Sequence, residues 1–198
     1  MNSLRLPFGC RFLSHDRKPG RSLHLLVKEI FIFAPANSSM EIQKKNVRSI
    51  LFIDDDQDEY DLVNEAIQEI DRSISIIYVN ACDQLLQYRQ QTFDLILLDI
   101  NMPHHDGFFI LRAIRKHGYL DIPIIMYTNS LSPTHIAKAY DEGANLYFVK
   151  PESFTGLLKS LRKLIYLDWS NPFSITKIYC LDGRYRILDE FRKVQYLQ

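Results

Sequence analysis

From Val47 onward the apolar residues change period repeatedly, and this constrains the fold more than any other feature of the chain. Val47-Arg48-Ser49-Ile50-Leu51-Phe52-Ile53 is a short apolar run of the kind that fills a buried strand, and Tyr60, Val63, Ile67 and Ile70 then recur at helical spacing. The unit returns as Ile74 to Val79 with Cys82 to Gln90, as Phe93 to Leu98 with Phe108 to His117, and as Ile122 to Tyr127 with Pro133 to Glu142. A fifth pairs Leu146 to Val149 with Phe154, Leu157, Leu158, Leu161, Leu164 and Ile165. Five βα units in about 120 residues predict an α/β fold, a doubly wound five-stranded parallel sheet with helices on both faces. Asp56 is placed to cap the first helix, Pro133 to open the fourth, and Gly143 to end it.

Charge narrows the function classes. Residues 40–171 hold 13 Lys and Arg against 19 Asp and Glu, while residues 1–39 hold six against two and residues 172–198 five against three. An acidic body argues against direct binding of nucleic acid, which needs clustered cations to neutralise phosphates. Cys10, Cys82 and Cys180 are odd in number and far apart, so neither a disulfide framework nor a zinc site is expected, and a reducing, cytoplasmic location fits. No run reaches the roughly 18 apolar residues of a membrane span. Leu23 to Ala36 has basic residues before it and ends in Ala34-Pro35-Ala36, which mimics a cleavage site, but Lys28 and Glu29 break the stretch, so it is not read as a signal peptide.

In an open parallel sheet, functional groups gather where the strands end at their carboxyl edge. The first strand ends in Asp54-Asp55-Asp56, the third in Asp99-Ile100-Asn101-Met102-Pro103, the fourth in Thr128-Asn129-Ser130 and the fifth in Lys150-Pro151. Converging carboxylates repel unless a cation compensates, and a hard, oxygen-only donor set suits Mg²⁺. If Asp99 attacks a phosphoryl group it becomes an acyl phosphate, whose new oxygens need the metal, Lys150 and the Thr128 hydroxyl as partners.

These segments, with Asp106-Gly107, Met126-Tyr127-Thr128 and Val149-Lys150-Pro151, resemble the receiver domain of two-component response regulators over about residues 47–168. The resemblance implies the flavodoxin-like strand order 2-1-3-4-5. It implies Asp99 as phosphoacceptor, with Asp54, Asp55 and Asp99 holding Mg²⁺ and Asn101 giving the metal its backbone carbonyl. Thr128 and Lys150 would bind the phosphoryl group, and Tyr147 matches the aromatic switch position. The donor would be a phosphohistidine of a sensor histidine kinase. Asn129 stands where the family usually has Ala or Gly, so Asn129 and Ser130 are expected to tune access, while His104-His105 are read as exposed loop histidines.

The leading expectation is a single-domain response regulator whose output is altered binding of a downstream protein or phosphotransfer partner. Its reader surface would be the fourth helix, fifth strand and fifth helix, a face that also suits a homodimer. No enzymatic turnover beyond self-phosphorylation and self-dephosphorylation is expected. One alternative is a pseudo-receiver acting as a docking scaffold. Another is a phosphatase resembling the haloacid dehalogenase group, against which Asp58 stands where that group's first motif wants Thr or Val.

The flanks carry weaker signals. Residues 1–44 contain Pro7, Gly9, Pro19, Gly20 and Pro35 without a sustained period and are read as a poorly ordered extension, with Met40 a candidate translation start. The receiver domain is expected at 45–170. In the tail, 171–198, Ile175 to Leu181 and Arg184 to Leu188 flank Asp182-Gly183, which signals a hairpin.

Overall fold

Strand β1 (Ser49–Ile53) lies between β2 (Ser75–Val79) and β3 (Leu95–Leu98), and β4 (Ile124–Thr128) and β5 (Leu146–Val149) follow outward from β3. All four pairings are parallel, in the order 2-1-3-4-5 expected from the sequence. The computed structural model describes residues 46–81, 84–85, 88, 91–103, 106–116, 121–181 and 184–188. The expectations for residues 1–44, for His104-His105 and for Asp182-Gly183 lie outside them.

Alternate residues of each strand serve opposite faces, which is why the strands read as nearly unbroken apolar runs. Ile50, Phe52, Leu95, Leu97, Tyr127 and Phe148 pack with helices α1 (Gln57–Ile70) and α4 (Phe154–Ile165). Leu51, Ile53, Leu98, Met126 and Tyr147 face α2 (Gly107–Lys116) and α3 (Pro133–Asp141). Each such Leu, Ile or Phe withdrawn from water stabilises the fold by about 1.5–3 kcal/mol before chain entropy is subtracted.

The helix ends follow their local chemistry. Asp56 accepts the N–H groups of Asp58 and Glu59 at the start of α1, and Ser153 accepts that of Gly156 at the start of α4. Gly143 follows α3 at φ 99°, where Gly143 N–H reaches Tyr140 O and Ala144 N–H reaches Ala139 O. These two bonds satisfy carbonyls that the helix end would otherwise leave open, and the left-handed residue between them favours glycine.

Two regions differ from the sequence reading. Between Cys82 and Gln90, the described residues Gln84, Leu85 and Tyr88 adopt 3₁₀ turns instead of an α-helix, with Gln84 N–H on Ala81 O and Gln91 N–H on Tyr88 O. Leu85 and Tyr88 pack on the core three residues apart, a spacing that suits the tighter turn. In the tail, Ile175 to Tyr179, read as the first arm of a hairpin, belong to helix α5 (Pro172–Tyr179). Pro172 opens that helix in its first turn, and Ile175 and Tyr179 both turn one helical face to the core. The hairpin is the shorter antiparallel pair β6 (Cys180–Leu181) and β7 (Arg184–Tyr185).

The tail closes over the free side of β5. Leu188 is 1% exposed, forms a parallel bridge with Phe148 and donates its N–H to Tyr147 O at 2.7 Å. Tyr185 stacks on Tyr140 with ring centroids 5.7 Å apart, and the Tyr140 hydroxyl donates to Arg186 O at 2.6 Å. Further back, Asn145 donates to Thr176 Oγ1 at 3.2 Å, while its own Oδ1 accepts from the half-buried Arg115 guanidinium and from Ile124 N–H. The same tail thus shares one core with Trp169, whose indole N–H is bonded to Leu164 O.

Candidate functional site

The parallel register brings the ends of β1, β3, β4 and β5 to one edge of the sheet. Asp54 continues β1, its N–H bonded to Val79 O, and is 1% exposed. Its Oδ1 accepts Asp56 N–H at 3.0 Å, and its Oδ2 accepts from Lys150 Nζ at 2.8 Å. Asp99 continues β3, its N–H on Ile53 O, and is 5% exposed. One Asp99 oxygen accepts Asn101 N–H at 2.7 Å, and the other lies 3.6 Å from Lys150 Nζ. Asp55 is exposed, and one oxygen from each of Asp54, Asp55 and Asp99 lies within 4.8 Å of the others.

Gly107 makes the tight turn behind Asp99 possible. A Cβ on residue 107 would fall 2.0 Å from Asp99 O, so only glycine lets α2 start against the Asp99 backbone. Asn101, exposed, bridges to Asp106 just before that start.

Thr128 ends β4 fully buried, and its Oγ1 accepts Ser130 N–H at 3.3 Å. Asn129 is exposed beside it, while Ser130 Oγ lies 2.9 Å from His135 Nδ1. The Tyr147 ring is buried, and its hydroxyl donates to Ser130 O at 2.9 Å, so the residue singled out as a switch is tied to the loop that carries Thr128. Burial pushes the Tyr147 phenol up to about 12, which keeps it a hydrogen-bond donor at neutral pH.

The electrostatics follow from burying like charges around one ammonium. Burial raises the Asp54 pKa and Asp99 adds to it, while Lys150 and the Asp56 N–H oppose the rise. Burial alone would lower the Lys150 pKa, but the Asp54 hydrogen bond and the charges of Asp54, Asp99 and Glu59 outweigh it, and Lys150 is held above its ordinary value. One ammonium faces more negative charge than it neutralises. The hard-oxygen set of Asp54, Asp55 and Asp99 therefore fits a small divalent cation.

Two neighbours escaped the sequence reading. Glu59 was given no role there, and Tyr127 entered only as part of the fourth strand and the motif that ends it. In the structure the Tyr127 hydroxyl donates to Glu59 Oε1, and Glu59 Oε2 lies 4.0 Å from Lys150 Nζ. The usable signal was that Glu59 stands in the first turn of α1, and that Tyr127 precedes Thr128 and faces the α1 side of the sheet.

Comparison with known proteins agrees with the geometry. The profile of the response regulator receiver domain family matches residues 50–162. The CAI-1 autoinducer sensor kinase/phosphatase CqsS of Vibrio cholerae is 30% identical over 149 residues, covering 73% of this chain and 21% of that protein. The probable transcriptional regulator ycf29 of Porphyra purpurea is 32% identical over 120 residues, 59% of this chain and 57% of the relative. The chain thus spans between a fifth and three fifths of these relatives' length. Among solved structures, the chemotaxis response regulator CheY4 of Vibrio cholerae is 28% identical, with TM-score 0.51 over 60% of this chain and 98% of that one. The Mn(2+)-bound response regulator Rcp1, 22% identical, shares the fold with TM-score 0.54 over 63% and 96% of the two chains. No described helix is long and apolar enough to cross a membrane. With the strand order, the acids at the strand ends and the profile match in agreement, the chain belongs to the response regulator receiver domain family.

Proposed function

We propose that this chain accepts a phosphoryl group on Asp99 from the phosphohistidine of a sensor histidine kinase and signals by altered protein binding. The observation that carries the reading is the placement of Lys150 Nζ 3.6 Å from Asp99 Oδ1, beside three carboxylates whose oxygens lie within 4.8 Å of one another. An Asp99 oxygen attacks phosphorus, the P–N bond to the donor imidazole breaks, and the imidazole takes up a proton. Asp54, Asp55 and Asp99, with the Asn101 carbonyl, hold Mg²⁺, which supplies positive charge against the carboxylates and the phosphoryl oxygens. Lys150 and the Thr128 hydroxyl receive the phosphoryl oxygens at the ends of β5 and β4. Asn129 and Ser130 line the approach, and Tyr147 follows Thr128 through Ser130 O.

This is phosphoacceptor chemistry without turnover of an external substrate, in a cytoplasmic setting and without direct binding of nucleic acid. The surface read by a downstream protein, a phosphotransfer partner or a second copy is that of α3, β5 and α4 together with the tail lying on it. Intact-mass measurement after incubation with acetyl phosphate and Mg²⁺ tests the reading. One phosphoryl group on the wild type and none on Asp99→Asn is the expected result. No adduct, together with no stabilisation by beryllofluoride, gives the docking-scaffold reading the lead.

A further inference from the structure

Three carboxylates, not two, surround the Lys150 ammonium. Asp54 Oδ2 is 2.8 Å away, Asp99 Oδ1 3.6 Å and Glu59 Oε2 4.0 Å, while the side chain of Lys150 is only 9% exposed. Asp54 and Asp99 are absorbed by the phosphoacceptor chemistry, and Glu59 is not. It reaches the ammonium from the first turn of α1.

Glu59 is also held in place. The Tyr127 hydroxyl donates to its Oε1, leaving Oε2 toward Lys150. The Tyr127 ring is itself fixed against Phe52 and Phe148, at centroid distances of 5.8 and 5.1 Å, and Lys150 Nζ sits 5.0 Å above it. Burial, then the Glu59 charge, hold the Tyr127 phenol far above its ordinary pKa, so it remains a donor across the working range. An ammonium in this nest has a resting partner that the phosphoryl group must compete with. The phosphoryl group brings further negative charge to the same cation, so a carboxylate at 4.0 Å opposes its arrival.

Resting on the function proposed above, we infer that Glu59 is a positioning residue for Lys150: clamped by Tyr127, it shares the ammonium with Asp99 and sets how readily the site takes up a phosphoryl group. The inference gives the two members of the clamp opposite signs. Glu59→Gln keeps the shape and still accepts the Tyr127 hydroxyl but removes the competing charge, so phosphorylation by acetyl phosphate should quicken by about threefold to tenfold and beryllofluoride bind correspondingly tighter. Tyr127→Phe leaves the carboxylate with Lys150 as its strongest partner, so uptake should slow by a few fold. Glu59→Asp, which restores the charge, should return the rate toward the wild type.

A metal-free readout accompanies these rates. The unfolding equilibria of Glu59→Gln, Lys150→Met and the double variant in urea should be non-additive, with a coupling of about threefold in the equilibrium constant. If both clamp variants slow uptake, or neither moves it by more than about twofold, or the urea cycle closes without coupling, the inference is overturned while phosphorylation of the wild type stands. If the wild type itself takes neither phosphoryl group nor beryllofluoride, the underlying function fails and the positioning role fails with it.

Discussion

Strand β5 joins two regions built on opposite principles. At its carboxyl end Lys150 enters a nest where Asp54 and Asp99 are almost fully buried against their electrostatic preference. Along its free side, Tyr147 O and the Tyr140 hydroxyl pair with Leu188 N–H and Arg186 O of the tail, and Leu188 buries its side chain. The first arrangement gathers more negative charge than the one ammonium neutralises, and the second is built from hydrogen-bonded pairs and buried apolar side chains.

Removal of the tail is the strongest way to break this contrast. Truncation after Asn171 strips Ile175, Leu188 and the Tyr185 ring from the core, and the burial of Ile175 and Leu188 alone is worth several kcal/mol. Urea unfolding should show a loss of about 4 kcal/mol, with the fluorescence of buried Trp169 shifting to longer wavelength in the native baseline. An unchanged midpoint would mean that the tail is an ornament on a self-sufficient domain.

On the site side, Gly107→Ala carries the next largest effect. The added Cβ meets Asp99 O at 2.0 Å, a backbone atom that cannot swing aside. A loss of about 3 kcal/mol in urea unfolding is expected, with phosphorylation impaired because the displaced segment carries Asp99, the proposed acceptor.

How each region showed itself in the sequence follows from the same contrast. Asp54, Asp55, Asp99, Thr128 and Lys150 were legible because each stands at or just past the end of an apolar strand, and parallel strands carry their ends to one edge whatever the details of packing. Glu59 was hidden because its role comes from α1 leaning over that edge, a tertiary distance that spacing along the chain does not encode. The tail was misread in part because Ile175 to Leu181 is apolar enough for a strand. Pro172 and the shared core with Trp169 decide for a helix up to Tyr179, and only Cys180 and Leu181 remain to pair. The 3₁₀ turns near Leu85 lack the length of apolar face that separates a helix from a turn.

Reversing the sign of the mutational effect sharpens the comparison further. The Asp54 pKa is raised, chiefly by burial, so its favourable contribution to folding is present at low pH and lost as the pH rises through that raised value. At neutral pH Asp54→Asn should therefore stabilise the metal-free protein by about 1 kcal/mol while preventing Mg²⁺-dependent phosphorylation. Thermal unfolding across the acid range should show the two proteins converging as the pH falls. A variant less stable at every pH would mean that the Lys150 bond outweighs the cost of burying the acid.

A further effect lies where the two regions touch. The Tyr140 hydroxyl accepts Tyr147 N–H at 3.1 Å and donates to Arg186 O, so one hydroxyl joins the strand that leads to Lys150 to the tail. Tyr140→Phe keeps the stacked ring against Tyr185 and removes only that junction, leaving a buried N–H and a carbonyl without their partner. A loss of about 1–2 kcal/mol is expected, with faster amide exchange at Tyr147 and at Leu188, whose N–H is bonded to Tyr147 O. If exchange quickens at Tyr147 alone, the tail is held by its apolar contacts and the two regions are mechanically separate. If both quicken together, the junction is the path by which a change at the β4–α3 loop, through the Tyr147 hydroxyl on Ser130 O, reaches the face that a partner would read.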